Sequence, residues 1–136
     1  MSKILAACLM LASQTYSVQP AVMVGILQVE GGNVGQQVQN TNGTYDLGPM
    51  QINTIWLNDL SGQWGVSKAT AKQWVRDDPC TNVGVAAWIL RRHYNETGSL
   101  SQAISNYHSR TPGVGKVYKT KVLKSMNRHG LMRAGQ

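Results

Sequence analysis

Asn40-Thr41-Asn42-Gly43-Thr44-Tyr45-Asp46-Leu47-Gly48-Pro49-Met50-Gln51-Ile52-Asn53 is a polar, glycine-punctuated stretch in a chain otherwise patterned for helix. Asn42-Gly43 predicts a tight hairpin turn, because both central residues of a type I′ turn need φ > 0. The surrounding Asn, Thr and Gly residues argue for a small ribbon around residues 38–47. Upstream, an apolar run from Pro20 ends at Glu30 and is followed by Gly31-Gly32. One carboxylate therefore closes a helix, and a second, Asp46, sits on a ribbon nearby.

At 136 residues, one domain is expected over 1–136. A chain of this size buries roughly two thirds of the surface its unfolded form exposes. Its hydrophobic content of 42% is ordinary for a globular protein, which argues against a disordered chain. No apolar run approaches the ~20 residues that span a bilayer, so no stable membrane insertion is expected. Internal repeats and low-complexity segments are absent.

The net charge of +7 is unevenly placed. Residues 1–67 hold one basic residue, Lys3. No acidic residue follows Glu96, whereas Arg110, Lys116, Lys119, Lys121, Lys124, Arg128 and Arg133 do. Such a tail suits an anionic partner: nucleic acid, a membrane surface or an anionic polymer. A solvated helix face is the plainer alternative.

Ile4-Leu5-Ala6-Ala7-Cys8 after Lys3 imitates a lipoprotein leader, but the apolar run before Cys8 is shorter than the ~7–15 residues a leader needs. The spacing of Ile4, Cys8 and Leu11, with Leu5 and Ala12, predicts a helix face instead. The segment is read as the first helix of a mature chain whose natural signal peptide is absent, with Met1-Ser2 an added start. Cys8 and Cys80 lack partners at metal-ligand spacing, so no metal is expected. Two buried thiols and one disulfide both remain open on spacing alone.

The rest of the chain reads as mostly helix. Ser2 caps a helix to about Tyr16. Pro20 suits the first turn of the next, where its missing N–H leaves nothing unpaired, and that helix turns Val22, Ile26 and Val29 inward. Asn53 or Thr54 begins a short helix through Leu60, and Ser67 begins another to about Arg76. A long helix runs from about Thr81 to Asn95. Ser99 or Ser101 starts one that ends near His108. After Pro112-Gly113, a last helix from about Val114 to Asn127 carries Val117, Tyr118, Val122 and Met126 at helical spacing.

Two carboxylates facing each other across a groove are what cleavage of a glycosidic bond requires. Glu30 closes an apolar helix, where burial raises a carboxyl above its ~4.3 reference and suits it to act as a general acid. A solvated helix end is the alternative for Glu30 taken alone. Three features occur in order over residues 20–126: Val29-Glu30, Gly48-Pro49-Met50-Gln51, and Ala103-Ile104-Ser105-Asn106-Tyr107-His108. Together they resemble the lysozyme-like superfamily. Within it, they resemble the specialised lytic transglycosylases of secretion and conjugation systems, which carry a soluble lytic transglycosylase domain. Asp78-Pro79-Cys80-Thr81-Asn82-Val83 and Tyr107-His108-Ser109-x-Thr111-Pro112 look like that group in particular.

The resemblance implies a mainly α (α+β), lysozyme-like helical domain with one small β-ribbon. It implies a peptidoglycan-cleaving enzyme, without a cofactor, acting on the β-1,4 bond from N-acetylmuramic acid to N-acetylglucosamine. The products would carry 1,6-anhydro ends. The implied partners are peptidoglycan glycan strands and a secretion or conjugation apparatus; the implied setting is periplasmic or secreted, and the chain is expected to be a monomer. Catalytic roles fall on Glu30 and Asp46. Substrate-binding roles fall on Met50 against a sugar face, Gln51 on the groove floor, Tyr107 on the opposite wall and His108 beside it. The same resemblance favours a Cys8–Cys80 bridge, adding about 4 kcal/mol in the chain-entropy model. Three positions depart from the family pattern: Gly31 for serine, Pro49 for leucine and His108 for asparagine.

Asp46 leaves two mechanisms open. A transglycosylase needs only Glu30, as acid and then as base toward the C6 hydroxyl. A retaining hydrolase would use Asp46 to form or stabilise a glycosyl intermediate, and the ribbon also looks like that of animal-type lysozymes. A third possibility for Asp46 is a turn-stabilising acceptor. Other function classes are a non-catalytic wall-binding adaptor and a nucleic-acid module. The latter lacks a recognition motif, and Gly113-Val114-Gly115-Lys116 is not a phosphate loop, so no nucleic-acid partner is expected. Among the tryptophans, Trp88 is assigned to the core and Trp64 to the groove rim.

Overall fold

The computed structural model describes residues 1–108 and 112–128. Ser109, Arg110, Thr111 and Arg133 lie outside the described residues. Seven helices and a small antiparallel sheet make up the described chain: α1 (Lys3–Tyr16), α2 (Pro20–Glu30), β1 (Gln37–Gln39), β2 (Tyr45–Leu47), β3 (Ile52–Asn53), a 3₁₀ turn (Thr54–Trp56), α3 (Leu57–Trp64), α4 (Lys68–Asp77), α5 (Pro79–Thr97), α6 (Leu100–His108) and α7 (Pro112–Arg128). The architecture is the mainly helical, lysozyme-like one expected, with a sheet in place of a plain ribbon.

Caps account for the helix starts. Ser2 Oγ accepts from Leu5 N at 3.1 Å, Ser67 Oγ from Thr70 N at 3.1 Å, and Ser99 Oγ from Gln102 N at 3.1 Å. The start of α5 lies earlier than expected. Asp78 accepts from Thr81 N at 2.8 Å and Pro79 takes the first helical position, the arrangement that proline's locked φ favours. The last helix also begins earlier, at Pro112.

Helix α5 is the centre of the packing, with α1, α4 and α6 against it, while α2 lies between α1 and α7. The core draws on Met23 and Ile26 of α2, Leu47 of β2, Ile52 of β3, Val83 and Leu90 of α5, and Val122 of α7. Val22 and Ile26 are buried, and Val29 packs at the core's edge. Helices α2 and α7 touch at Gly25, where an added Cβ would lie 2.6 Å from Met126 Cγ. That close approach carries the end of α2 alongside Tyr118.

The face of α1 differs from the expected one. Cys8, Leu9, Ala12 and Ser13 are buried, while Ile4 is 65% and Leu11 60% exposed. Cys8 and Ala12 are buried as expected, and Leu9 joins them because α1 packs along α5, to whose first turn Cys8 is disulfide-bonded through Cys80.

The turn at Asn40–Thr44 is also different. Gly43 N donates to Asn40 O at 3.1 Å, and Asn40 N to Thr44 O at 2.8 Å. Gly43 has φ 87°, but Asn42 is not among the residues with positive φ. The loop is thus a turn followed by one left-handed glycine, the longer hairpin solution rather than type I′. Asn42 Oδ1 instead accepts from Thr44 N at 3.0 Å. The third strand, β3, pairs Asp46 with Asn53 and Leu47 with Ile52, and makes β2 the central strand.

Candidate active site

The end of α2 is docked onto the turn that follows the ribbon. Gly32 N donates to Pro49 O at 3.2 Å, and a Cβ at Gly32 would fall 2.0 Å from Gly48 O. Gly48 has φ 67°, and a Cβ there would meet Asn82 Nδ2 at 2.4 Å. Only glycine suits either site. The turn is held from behind by Asn82, which is fully buried. Its Oδ1 accepts from Met50 N at 2.9 Å, and its Nδ2 donates to Leu47 O at 2.8 Å and Val75 O at 2.9 Å. One side chain on α5 thereby pins the ribbon, the turn and α4 together.

A groove of about 590 Å³ runs across this junction, with Glu30, Asp46, Gln51, Trp56, Tyr107 and His108 among its walls. Glu30 is half-buried. Its Oε2 accepts from the Tyr118 hydroxyl at 2.8 Å. Burial pushes its carboxyl up to about 7; the Tyr118 hydrogen bond opposes that rise and the Asp46 charge adds to it. Such a carboxyl is about half protonated at neutral pH, and can both give and take a proton there.

Asp46 lies on β2 with a strand on either side. Its Oδ1 accepts from Asn53 Nδ2 at 3.1 Å, and Asn53 also donates to Thr44 Oγ1 at 3.0 Å. The turn is stabilised by Asn42, not by Asp46.

Gln51 holds a left-handed backbone, φ 52°, an uncommon state for a non-glycine residue. Its Nε2 donates to Gly48 O at 3.0 Å, and its side chain lies on the groove wall. Met50 departs from expectation. Its side chain is fully buried and cannot meet a sugar face. What Met50 presents is its backbone: the carbonyl accepts from the Tyr107 hydroxyl at 2.8 Å. Tyr107 therefore bonds the turn rather than Glu30. Burial, with the charges of Glu30 and Asp46, raises its hydroxyl well above 10, so it stays a neutral donor. His108 stacks on Tyr118, with ring centres 4.7 Å apart and planes 10° from parallel.

Three residues of this region carry roles that sequence reasoning missed. Tyr118 is 5% exposed, so its place on the inward face of α7 was legible, but its bond to Glu30 was not. Asn82 falls within the Asp78–Val83 motif, but its three bonds reach segments outside that motif. Trp56 is the tryptophan on the groove wall, with its ring edge-on to Trp88 at 5.5 Å and the Arg92 guanidinium 5.7 Å from its centre. Trp64 packs instead on Trp74 at 5.7 Å, away from the groove, and Trp88 is half-buried against the core.

Among the described residues, no group of three or more His, Cys, Asp or Glu could hold a metal ion. Among the same residues, no helix is long and apolar enough to cross a membrane.

A family model described as Transglycosylase SLT domain matches residues 7–128. A search of curated proteins finds no match. The matched span takes in Glu30, the ribbon, the Gly48–Gln51 turn, Tyr107 and Tyr118. The chain belongs to the transglycosylase SLT domain family, and is a lytic transglycosylase, a lyase acting on peptidoglycan.

Proposed function

We propose that Glu30 is the catalytic acid and base of this enzyme, and that the bond cleaved is the β-1,4 link from N-acetylmuramic acid to N-acetylglucosamine. Glu30 protonates the glycosidic oxygen, and the N-acetylglucosamine end departs. The acetamido group of the muramic acid stabilises the positive anomeric carbon. Ionised Glu30 then takes the proton of the C6 hydroxyl, whose oxygen closes on C1. The product is a 1,6-anhydro end, and no water is consumed. The observation that carries this reading is the state of Glu30: a half-buried carboxyl raised to about 7 and held by one hydrogen bond from Tyr118.

Gln51, Tyr107 and His108 support the reading from the groove walls. Asp46 adds negative charge opposite the developing cation. A retaining hydrolase is the second reading, favoured by Asp46 lining the same groove as Glu30.

We read the chain as one domain and a monomer that opens the wall locally for a secretion or conjugation apparatus. The motif from Asp78 to Val83 supports the secretion-associated reading through its resemblance to that group. The setting is periplasmic or secreted: the substrate lies outside the cytoplasm, and the disulfide suits an oxidising compartment.

Mass spectrometry of muropeptides released from purified peptidoglycan tests the mechanism. Anhydro ends are expected. Reducing ends would favour the hydrolase, and no release at all would leave only wall binding.

A further inference from the structure

The net charge of +7 is carried wholly by the part of the chain beyond Glu96. Residues 1–96 hold six basic and six acidic side chains, which cancel. In that first part the exposed carboxylates are already engaged. Asp59 and Glu96 pair with Arg92, Asp77 pairs with Arg76, and Asp78 caps α5. The cations of α7 are different. Lys116, Lys119, Lys121, Lys124 and Arg128 have no ion-pair partner among the described residues. Helices α2 and α6 pack against α7, and the one carboxylate these two carry, Glu30, is bonded to Tyr118 on the inward side of α7.

Tyr118, Val122, Ser125 and Met126 are buried and define that inward side. Lys116, Lys121, Lys124 and Arg128 are exposed. At 3.6 residues per turn they spread over about 140° of the helix circumference and about 18 Å of its length. This is a two-dimensional array of charge, not a single line. A flat anionic surface meets all four at once. Lysine is also the more frequent cation here, and its ammonium is a compact charge on a flexible stem, suited to mobile headgroups. Arginine, with its rigid fork, is the usual choice for nucleic-acid phosphates. The one aromatic residue of α7, Tyr118, faces inward, so the outward face offers no ring on which a base could stack. Val117 stands among the cations and is 59% exposed, which lets its methyls enter a headgroup layer.

We infer that the outward face of α7 docks the enzyme on an anionic phospholipid bilayer, with the lysines and Arg128 against the headgroup phosphates and no helix inserted. Helix α7 also carries Tyr118, the hydrogen-bond donor to Glu30. Docking through its outer side therefore fixes how the groove is turned relative to the membrane.

The test is co-sedimentation of the full chain with vesicles of phosphatidylcholine alone, or with about one third phosphatidylglycerol. The protein should pellet with the anionic vesicles at about 0.1 M salt, be released at about 1 M, and ignore the neutral ones. Lys116→Glu/Lys124→Glu should weaken binding at least about 30-fold, and the milder Lys124→Gln/Arg128→Gln about tenfold or more. Both variants should cleave soluble glycan strands within about twofold of wild type, which reports that they are folded. Lys68→Glu/Lys72→Glu on α4 changes the net charge as much as the first pair and should leave vesicle binding within about twofold. Equal binding to both vesicle types, binding unaffected by the two α7 variants, or equal loss from the α4 variant would overturn the docking face. Tighter salt-dependent binding to duplex DNA than to anionic vesicles, lost in the α7 variants, would overturn it in favour of a nucleic-acid partner.

Discussion

Glu30→Gln should make the protein more stable at alkaline pH while removing its activity. In the folded protein the carboxyl is raised from 4.5 to about 7, chiefly by burial. In the unfolded chain it ionises at its ordinary value. Between those two values the folded state keeps a proton that the unfolded state has lost, so stability falls as pH rises through this window. Above about 7 the penalty is complete. At about 1.4 kcal/mol per pH unit it reaches about 3 kcal/mol, and partial solvent access to the groove trims it to about 2–3 kcal/mol. Glutamine has the same shape and no charge, and its side-chain oxygen still accepts from Tyr118. The variant should therefore match wild type near pH 4.5 and exceed it by about 2–3 kcal/mol near pH 8. Urea unfolding followed by tryptophan fluorescence at both values measures the difference, and other titrating groups cancel between the two proteins. Wall cleavage by the variant should fall by at least about 10²-fold. A stability difference that is the same at both pH values would mean that Glu30 is solvated and the acid assignment unsupported.

Other perturbations probe the partners of Glu30 and the frame around it. Tyr118→Phe removes a hydrogen bond to the ionised carboxylate, worth about 1.5–3 kcal/mol. The high-pH limb of kcat/KM should then move up by about 1–2 pH units; an unmoved limb would reduce Tyr118 to packing. Asp46→Asn removes a charge that raises Glu30, so the same limb should move down, with measurable activity and anhydro products retained. An inactive Asp46→Asn protein, beside a wild type that yields reducing ends, would establish the hydrolase instead. Asn82→Ala strands Met50 N–H and the carbonyls of Leu47 and Val75, and should cost about 3–5 kcal/mol in denaturant unfolding; a loss under about 1 kcal/mol would contradict the anchor role. Reduction of Cys8–Cys80 should lower the unfolding midpoint by roughly 10–15 °C in the chain-entropy estimate, a shift absent from a Cys8→Ser/Cys80→Ser double variant treated the same way.

What could be read from the sequence was local. Caps such as Ser2 and Ser67, the stop after Glu30, and Tyr118, Val122 and Met126 on the inward face of α7 all depend on neighbours within a turn or two, whereas Val117 of the same pattern is exposed. The misreadings arose where a distant contact decides the outcome. Ile4 and Leu11 are as apolar as Leu9, but packing along α5, joined through the Cys8–Cys80 bridge across 72 residues, buries Leu9 and leaves the other two exposed. The resemblance implies that Met50 lies against a sugar face, yet Asn82, 32 residues on, takes its N–H and its side chain lies in the core. Gly31, the residue after Glu30, offers it no side-chain hydroxyl. The hydroxyl that bonds Glu30 comes from Tyr118, 88 residues away, and no local pattern could assign it. Tyr118 reaches Glu30 because Gly25 lets α2 and α7 approach closely, so a glycine within a helix, ordinarily a weakness, here determines the geometry of the acid.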